Sequence, residues 1–104
     1  MDTFNALSAS IRREILALIA DNGQLTATAI AKKFKVTPSA ISQHLKILSE
    51  SKLVQMHRDA QQRIYEVNPV AMQELEKWAQ DMVKQINSLG SPIKNHVKPS
   101  TRKA

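Results

Sequence analysis

The stretch that decides the fold is Thr37–Ser51, which reads TPSAISQHLKILSES. Thr37 followed by Pro38 predicts a helix start, because a threonine hydroxyl accepts from a free N–H of the first turn and proline at the first position gives up no needed donor. At about 100° per residue, one narrow stripe of this helix holds the aliphatic residues, which are Ile41, Leu45 and Leu48. We therefore expect a helix that buries this stripe.

The opposite side of the same helix is polar. It carries Ser39, Gln43, Lys46 and Glu50, with Ser42 on its flank. Glutamine can bind adenine through two hydrogen bonds, serine can donate or accept, and lysine reaches phosphate or guanine. Such a face suits a helix in a DNA major groove. An ordinary solvent-exposed helix would be equally polar, so this face alone leaves both interpretations open.

The length of 104 residues fits one small domain, which we place at residues 1–89, followed by a tail at residues 90–104. Hydrophobic residues make up 42% of the chain and aromatic residues only 4%, so the core must be aliphatic. The absence of cysteine excludes disulfides, thiolate metal sites and a cysteine nucleophile. No apolar run approaches about 18 residues and no leader pattern opens the chain, so we expect no membrane span, no signal peptide and a cytoplasmic location.

The net charge of +6 is concentrated at the C-terminal end. All nine acidic residues precede Gly90, and the tail, which we expect to be disordered, contains four cations and no acid. A basic chain with a basic tail favours a polyanionic partner, most often a nucleic acid. Many modestly basic proteins have no such partner.

Three helical segments are predicted before Thr37. The first, Asp2–Leu7, is too short to be stable alone. Ser8 or Ser10 is expected to cap the second, which ends at Gly23.

The third helical segment starts at Thr26 with TATAIAKKF, and a tight turn separates it from Thr37. Two short helices with small residues at their contact describe a helix-turn-helix. A lysine cluster ends the segment, and it either contacts phosphate or complements the helix C-terminus. Its members are Lys32, Lys33 and Lys35.

The apolar period then changes from 3.6 to 2. Leu53–Met56 and Arg63–Val67 are predicted strands, and the intervening His57–Gln62 contains no glycine, so we expect a loop longer than two residues. A hairpin directly after a recognition-type helix is the wing of a winged helix. Arg58 and Arg63 flank the loop, where they either meet the sugar-phosphate backbone or a narrow minor groove, or are simply solvated.

A long final helix is predicted from Asn68-Pro69 to about Leu89. Val70, Leu75 and Trp78 would suffice to cover the winged core. The apolar residues continue with 4-3-4-3 spacing, which suits packing against another helix at a shallow angle. The remaining stripe is a candidate dimer surface, or it covers its own domain.

These segments together resemble the ArsR/SmtB family of bacterial winged-helix repressors, over roughly residues 4–89. The resemblance rests on ALSASIRREIL, on LTATAIAKKFKVTPSAISQHLKIL and on RIYEVNP, and SAISQHLKIL is its most specific part. The opening departs from the family pattern, with Ala9-Ser10 in place of the usual Asp-Pro. The resemblance implies a mainly α, winged helix-turn-helix fold of the order α-α-α-α-β-β-α. It also implies a homodimer that binds an inverted-repeat operator with its recognition helices roughly 34–36 Å apart.

The resemblance and the polar face together define the predicted sites. The residues expected at the DNA are Thr37, Ser39, Ala40, Ser42, Gln43, His44, Lys46, Arg58, Gln62 and Arg63. The residues expected in the dimer interface, which the family builds from its first and last helices, are Phe4, Leu7, Leu75, Trp78, Ala79, Met82 and Ile86. For His44, which lies about 60° from the buried stripe, packing at the helix edge and donation to a phosphate both remain open.

Many members of that family sense metals, but their ligands are missing from this sequence. The family's cysteine site has no cysteine here, and its final-helix site retains Asp81 without a histidine. The histidines His44, His57 and His96 have no neighbours at ligand spacing. We therefore expect no metal and no cofactor.

The leading hypothesis is a dimeric transcriptional regulator, in particular a repressor. The alternative is a winged-helix protein-interaction module or inhibitor, which would not show salt-dependent binding to duplex DNA. An enzyme is disfavoured because the chain lacks a glycine-rich phosphate loop, a paired-carboxylate pocket and a Ser/His/Asp grouping.

Overall fold

A computed structural model of the chain describes residues 2–89, so the predictions for the tail lie outside the described residues. These residues fall into two compact units, one up to Met72 and one from Gln73 onward. The elements in chain order are α1 (Thr3–Leu7), α2 (Ser10–Asn22), β1 (Leu25–Thr26), α3 (Ala27–Lys32), α4 (Pro38–Glu50), β2 (Val54–Asp59), β3 (Gln62–Val67) and α5 (Pro69–Ser88). The predicted mainly helical winged fold is confirmed.

The core of the first unit is aliphatic, as the composition requires. The predicted stripe of α4 is buried, and α2, α3 and the start of β2 supply its neighbours. The largest fully buried side chains are Ile15, Ile19, Ile30, Ile41, Leu45, Leu48 and Leu53. Tyr65 of β3 is the aromatic member of this cluster. This packing holds α4 with its polar side outward.

The threonines that precede α3 and α4 cap these helices. The Thr26 hydroxyl accepts from the backbone N–H of Ala29, and the Thr37 hydroxyl accepts from that of Ala40, each at 3.1 Å. Both hydroxyls satisfy a first-turn donor that has no partner within the helix. The start of the recognition-type helix is therefore where the sequence predicts it.

The predicted serine cap of α2 is wrong. Ala9 occupies the cap position and makes no side-chain hydrogen bond, and Ser10 is already helical. The Ser8 hydroxyl instead donates to the Asn5 carbonyl at 2.7 Å and so satisfies an acceptor at the end of α1. The end of α2 agrees with prediction, because Gly23 adopts a positive φ of 81°, which favours glycine.

The sheet has three strands in the order β1-β3-β2, all antiparallel. β1 pairs with β3 through Leu25 opposite Tyr65 and Thr26 opposite Ile64. The sequence did not predict β1, because two residues are too few to show a period of two. This strand links the segment before α3 to the base of the wing.

The prediction of a long hairpin loop is wrong. Pairing continues to Asp59 opposite Gln62, which leaves only Ala60 and Gln61 in the turn. Ala60 takes up the positive φ of 58° that a two-residue hairpin turn demands. A ladder of six residue pairs between β2 and β3 outweighs the strain of one non-glycine residue in this region. The wing is therefore a continuous ribbon up to its turn.

The start of α5 is confirmed, since the Asn68 side-chain oxygen accepts from the Val70 N–H at 3.0 Å. Ala71 and Met72 pack against the core of the first unit. The expectation for Val70 is wrong, because its side chain is 58% exposed and lies out of phase with these two residues. In the second unit, from Gln73 to Leu89, Leu75 is half-buried and the other residues are exposed.

Candidate nucleic-acid interface

The outward side of α4 presents the predicted small and polar residues to solvent. Ser39, Gln43 and Lys46 are exposed, while Ala40 and Ser42 are half-buried at the edges of this side. The first turn of α4 contains no acidic residue. The unpaired N–H groups of a helix N-terminus attract anions, so the absence of an acid there leaves this attraction uncancelled.

The two wing arginines lie directly opposite each other, Arg58 on β2 and Arg63 on β3. Side chains of directly opposed residues in an antiparallel pair point to the same face, and the faces alternate along the strand. Arg58 and Arg63 therefore share the face of the hairpin that also carries the buried Tyr65. Gln62, which is exposed opposite Asp59, lies on the other face.

An open groove joins the wing to the helix-turn-helix. It is formed by α3, α4 and β3, and its lining residues are Ala27, Thr28, Ala31, Lys32, Pro38, Ile41, Ser42 and Arg63. This lining brings Ser42, predicted from the face of a helix, beside Arg63, predicted from a hairpin. It contains two cations and no acid, which favours an anion such as a phosphate.

Two of the lysines at the end of α3, Lys32 and Lys33, lie in different places. Lys32 lines it, whereas Lys33 lies in a separate shallow depression with Glu14 and Asp21. Thr28 is a further lining residue that sequence reasoning missed. Its position has no local signal, because the groove is assembled from elements that are distant along the chain.

Opposed arginines in a hairpin repel each other, and their mutual repulsion opposes folding. Arg58 is exposed and Arg63 is half-buried. An anion between or beside them relieves the repulsion by supplying the opposite charge. Of the two interpretations left open by the sequence, this arrangement favours contact with phosphate over simple solvation.

His44 is half-buried at the edge of α4, and its Nδ1 lies 3.2 Å from Nη1 of Arg12. Burial, and then the charge of Arg12, lower the pKa of His44 below its ordinary value. Because a guanidinium only donates, this contact requires a lone pair on Nδ1 and places the imidazole proton on Nε2. The Nε2–H is thus free of Arg12 and can donate a hydrogen bond to a phosphate oxygen. Sequence reasoning missed Arg12, whose partner is 32 positions away.

The predicted dimer residues are placed differently in the two units. In the first unit, Phe4 is half-exposed and Leu7 packs partly against the core. In the second unit, Met82 and Ile86 are 41% and 50% exposed. Trp78 and Ala79 are also exposed, and Leu75 is half-buried.

Within residues 2–89, no three histidine, cysteine, aspartate or glutamate side chains come together as a metal-binding group. None of the helices in this range combines the length and the hydropathy needed to cross a membrane. His96, one of the three histidines in the chain, lies outside the described residues.

Comparison with known proteins shows the family to which this chain belongs. Residues 9–56 match the model of a family described as bacterial regulatory protein, arsR family. The transcriptional repressor SdpR of Bacillus subtilis (strain 168) is 35% identical over 77 residues, which are 74% of this chain and 84% of SdpR. The chain belongs to the ArsR family. It is therefore a transcriptional regulator with a winged helix-turn-helix DNA-binding domain, and it is not an enzyme.

Solved structures of ArsR-type regulators share this fold. An ArsR-like transcriptional regulator from Rhodococcus sp. RHA1 superposes with a TM-score of 0.74 at 22% identity, covering 92% of this chain and 90% of that one. A possible ArsR-family regulator from Mycobacterium bovis gives a TM-score of 0.62 at 25% identity, covering 78% and 74%. That protein is described as a homodimeric winged helix-turn-helix DNA-binding domain.

Proposed function

We propose that this ArsR-family regulator is a homodimeric repressor that binds an inverted-repeat operator through α4 and the wing. The observation that carries the proposal is the groove in which Ser42 of α4 meets Lys32 and Arg63. It joins a helix face suited to bases to a set of cations suited to phosphate. A relative that covers most of this chain, SdpR, is itself a transcriptional repressor.

The residues of this surface divide into two roles. Gln43 and Ser42 are the base-reading candidates, because their side chains combine donors and acceptors at the outward side and edge of α4. Arg58, Arg63 and Lys46 are the phosphate-binding candidates, together with Lys32. Thr37, Ser39 and Ala40 let the start of α4 approach the DNA backbone closely. At the margin of this surface His44 offers its Nε2–H as a donor, and Gln62 offers its side-chain amide group.

The proposed dimer depends on the second unit. Its exposed apolar residues repeat along α5, as a helix that packs against another helix requires. The proposed interface residues there are Leu75, Trp78, Ala79, Met82 and Ile86. Phe4 and Leu7 are the proposed contribution of α1. The homodimeric relative from Mycobacterium bovis supports a second copy of the chain as the partner.

The proposed repressor acts in the cytoplasm on the bacterial nucleoid and senses no metal through the sites known in its family. Those sites use cysteines or aspartate and histidine pairs, and this sequence has no cysteine and no histidine in α5. No cofactor is needed to bind an operator.

The test is selection from a random-sequence duplex library by the full chain at two salt concentrations. We expect enrichment of an inverted repeat with half-site centres about one DNA turn, roughly 34–36 Å, apart, and weaker binding at the higher salt concentration. Placing the enriched repeat across a promoter should then reduce transcription in vitro when the protein is added. Salt-sensitive binding without enrichment would contradict a specific operator. No binding at low salt would direct attention to a protein partner.

A further inference from the structure

Arg12 connects three helices through one side chain. Its Nε donates to the Ala6 carbonyl at 2.7 Å, and its Nη2 donates to the Asn5 carbonyl at 3.3 Å, so it binds the C-terminal end of α1 from α2. Its Nη1 donates to Nδ1 of His44 on α4 at 3.2 Å. A single guanidinium therefore links the short first helix to the recognition helix.

The contact with His44 is a hydrogen bond only while the imidazole is neutral. A protonated ring would carry N–H groups at both nitrogens and would face the guanidinium as a second cation. Burial and the charge of Arg12 lower the pKa of His44, and Arg12 on α2 is the charged group that acts on it among the described residues. The surroundings thus favour the protonation state that the hydrogen bond needs.

The hydrogen bond differs in kind from the packing that holds the rest of α4. Burial of Ile41, Leu45 and Leu48 fixes which side of the helix faces inward, but aliphatic contacts have little directionality. A planar guanidinium bound to two carbonyls has a defined position and direction. A contact of this kind at the edge of α4 is suited to limiting rotation of the helix about its own axis.

We propose that Arg12 is a positioning residue for DNA recognition, setting the rotation of α4 through His44. His44 follows Gln43 directly in the sequence, so a small rotation at His44 moves the base-reading side chains by a similar angle. The inference rests on the proposed function, since it requires that Ser42 and Gln43 read bases. A residue outside the DNA-binding surface thereby acquires a role in operator preference.

The test is a double-mutant cycle with Arg12→Met and His44→Phe. For each variant, affinity is measured for the enriched inverted-repeat duplex and for a scrambled duplex of equal length, and the ratio of the two is the operator preference. We expect each single substitution to lower this preference several-fold, and the double substitution to lower it no further than the stronger single one. Additive losses would overturn the proposal, because they would show that the two side chains act independently.

Arg13→Met is the matched control. Arg13 is the neighbouring arginine on α2 and also donates to a carbonyl at the end of α1, that of Leu7, so this hydrogen bond anchors α1 without involving α4. We expect the operator preference of this variant to equal that of the unmodified chain. An equal loss in the Arg12 and Arg13 variants would mean that anchoring of α1, rather than the contact with His44, sets the preference.

His44→Asn tests the chemistry of the contact. An asparagine oxygen lies near the position of Nδ1 and accepts from Arg12, whereas phenylalanine fills the site without accepting. We expect His44→Asn to keep more operator preference than His44→Phe, and equal losses would contradict a hydrogen-bonding role. Circular dichroism confirms folding of each variant, and Arg12→Lys replaces Arg12→Met in the cycle if the latter does not fold.

The unmodified chain distinguishes failure of the proposed function from failure of the positioning role. If it shows no preference for the enriched duplex, the proposed function fails and this inference fails with it. If it shows the preference and the cycle is additive, the proposed function stands and only the positioning role of Arg12 is excluded.

Discussion

The two units differ in how far their apolar side chains are exposed to solvent. The first unit extends up to Met72, and the second from Gln73 to Leu89. In the first, the largest aliphatic residues of α2, α3 and α4 are fully buried and the polar side of α4 faces solvent. In the second, Leu75 is half-buried and the other apolar residues of α5 are exposed. The first unit therefore completes a core within one chain, whereas the second has the pattern of a helix that is completed by another surface. Single substitutions in either unit test this difference.

The largest expected effect belongs to the buried side. Leu45→Ala, at a fully buried site, should lower the free energy of unfolding by about 2–5 kcal/mol, because it removes apolar burial and leaves a cavity. Ile86→Ala, at a site that is 50% exposed, should lower it much less at a protein concentration low enough to keep the chain monomeric. Urea unfolding of both variants measures the difference. Equal losses would mean that α5 is as well packed within the single chain as α4.

The second prediction tests whether the exposed apolar residues of α5 form a dimer interface. Ile86→Asp should weaken dimerisation by about 2 kcal/mol or more, roughly 30-fold, because it places a charge in a proposed apolar interface. The helical content should be unchanged, since the side chain is already half-exposed. Sedimentation across a concentration series measures the shift. Gln80→Asp adds the same charge on another side of α5, and an equal shift in that variant would contradict the proposed interface.

The third prediction concerns the polar side of α4. Gln43→Ala should lose about 1–3 kcal/mol at the base it reads and so relax sequence preference there. Affinity for the scrambled duplex should change little, because the substitution removes no charge. A repeat of the library selection with the variant identifies the relaxed position. A uniform loss across all sequences would show that Gln43 contacts only the DNA backbone.

The fourth prediction separates stability from binding at the wing. Arg58→Ala should weaken binding to all duplexes and reduce the slope of log affinity against log salt by about 1 per protomer, because one phosphate contact is lost. The same substitution should raise the free energy of unfolding slightly, toward the lower end of roughly 0.2–1 kcal/mol, by removing the repulsion with Arg63. Salt titrations and urea unfolding measure the two effects. A loss of both stability and binding would contradict the repulsive pairing of the arginines.

The smallest expected effect is a pH dependence of stability. The folded-state pKa of His44 is lower than its ordinary value of 6.5, so the unfolded chain binds a proton more readily than the folded chain does. The stabilisation is therefore complete above about pH 7 and declines as the pH falls through 6.5 toward the folded-state pKa. Unfolding at pH 7.5 and 5.5 should show a greater loss for the unmodified chain than for His44→Asn, which does not titrate. Parallel losses in the two chains would show that the pH dependence does not come from His44.

Local signals in the sequence were sufficient to predict the order of most helices and strands and the buried side of α4. A capping threonine followed by proline marks the start of this helix, and the 3.6-residue period of Ile41, Leu45 and Leu48 marks its buried side. The period of two marks both strands of the wing. Such signals are reliable because capping and amphipathic periodicity depend on neighbours within a few residues.

The predictions from the sequence were wrong or incomplete where the local structure depends on residues that are distant along the chain. Nothing near Leu25 predicts β1, which exists because β3 offers a free edge to pair with. The two-residue turn at Ala60 lacks the usual glycine, and it forms because the long β2–β3 ladder holds its ends together. The serine cap of α2 failed because Ser8 binds a carbonyl of α1 instead.

The sequence by itself determined the aliphatic core, the helix-turn-helix, the wing and the residue types available for contact with DNA. Only the tertiary structure decided which of these residues lie together. It placed Lys32, Ser42 and Arg63 around one groove, and it brought Arg12 to His44 across 32 positions. The reason is physical: hydrophobic period and capping act along the chain, whereas grooves and side-chain hydrogen bonds between helices depend on how the finished elements pack.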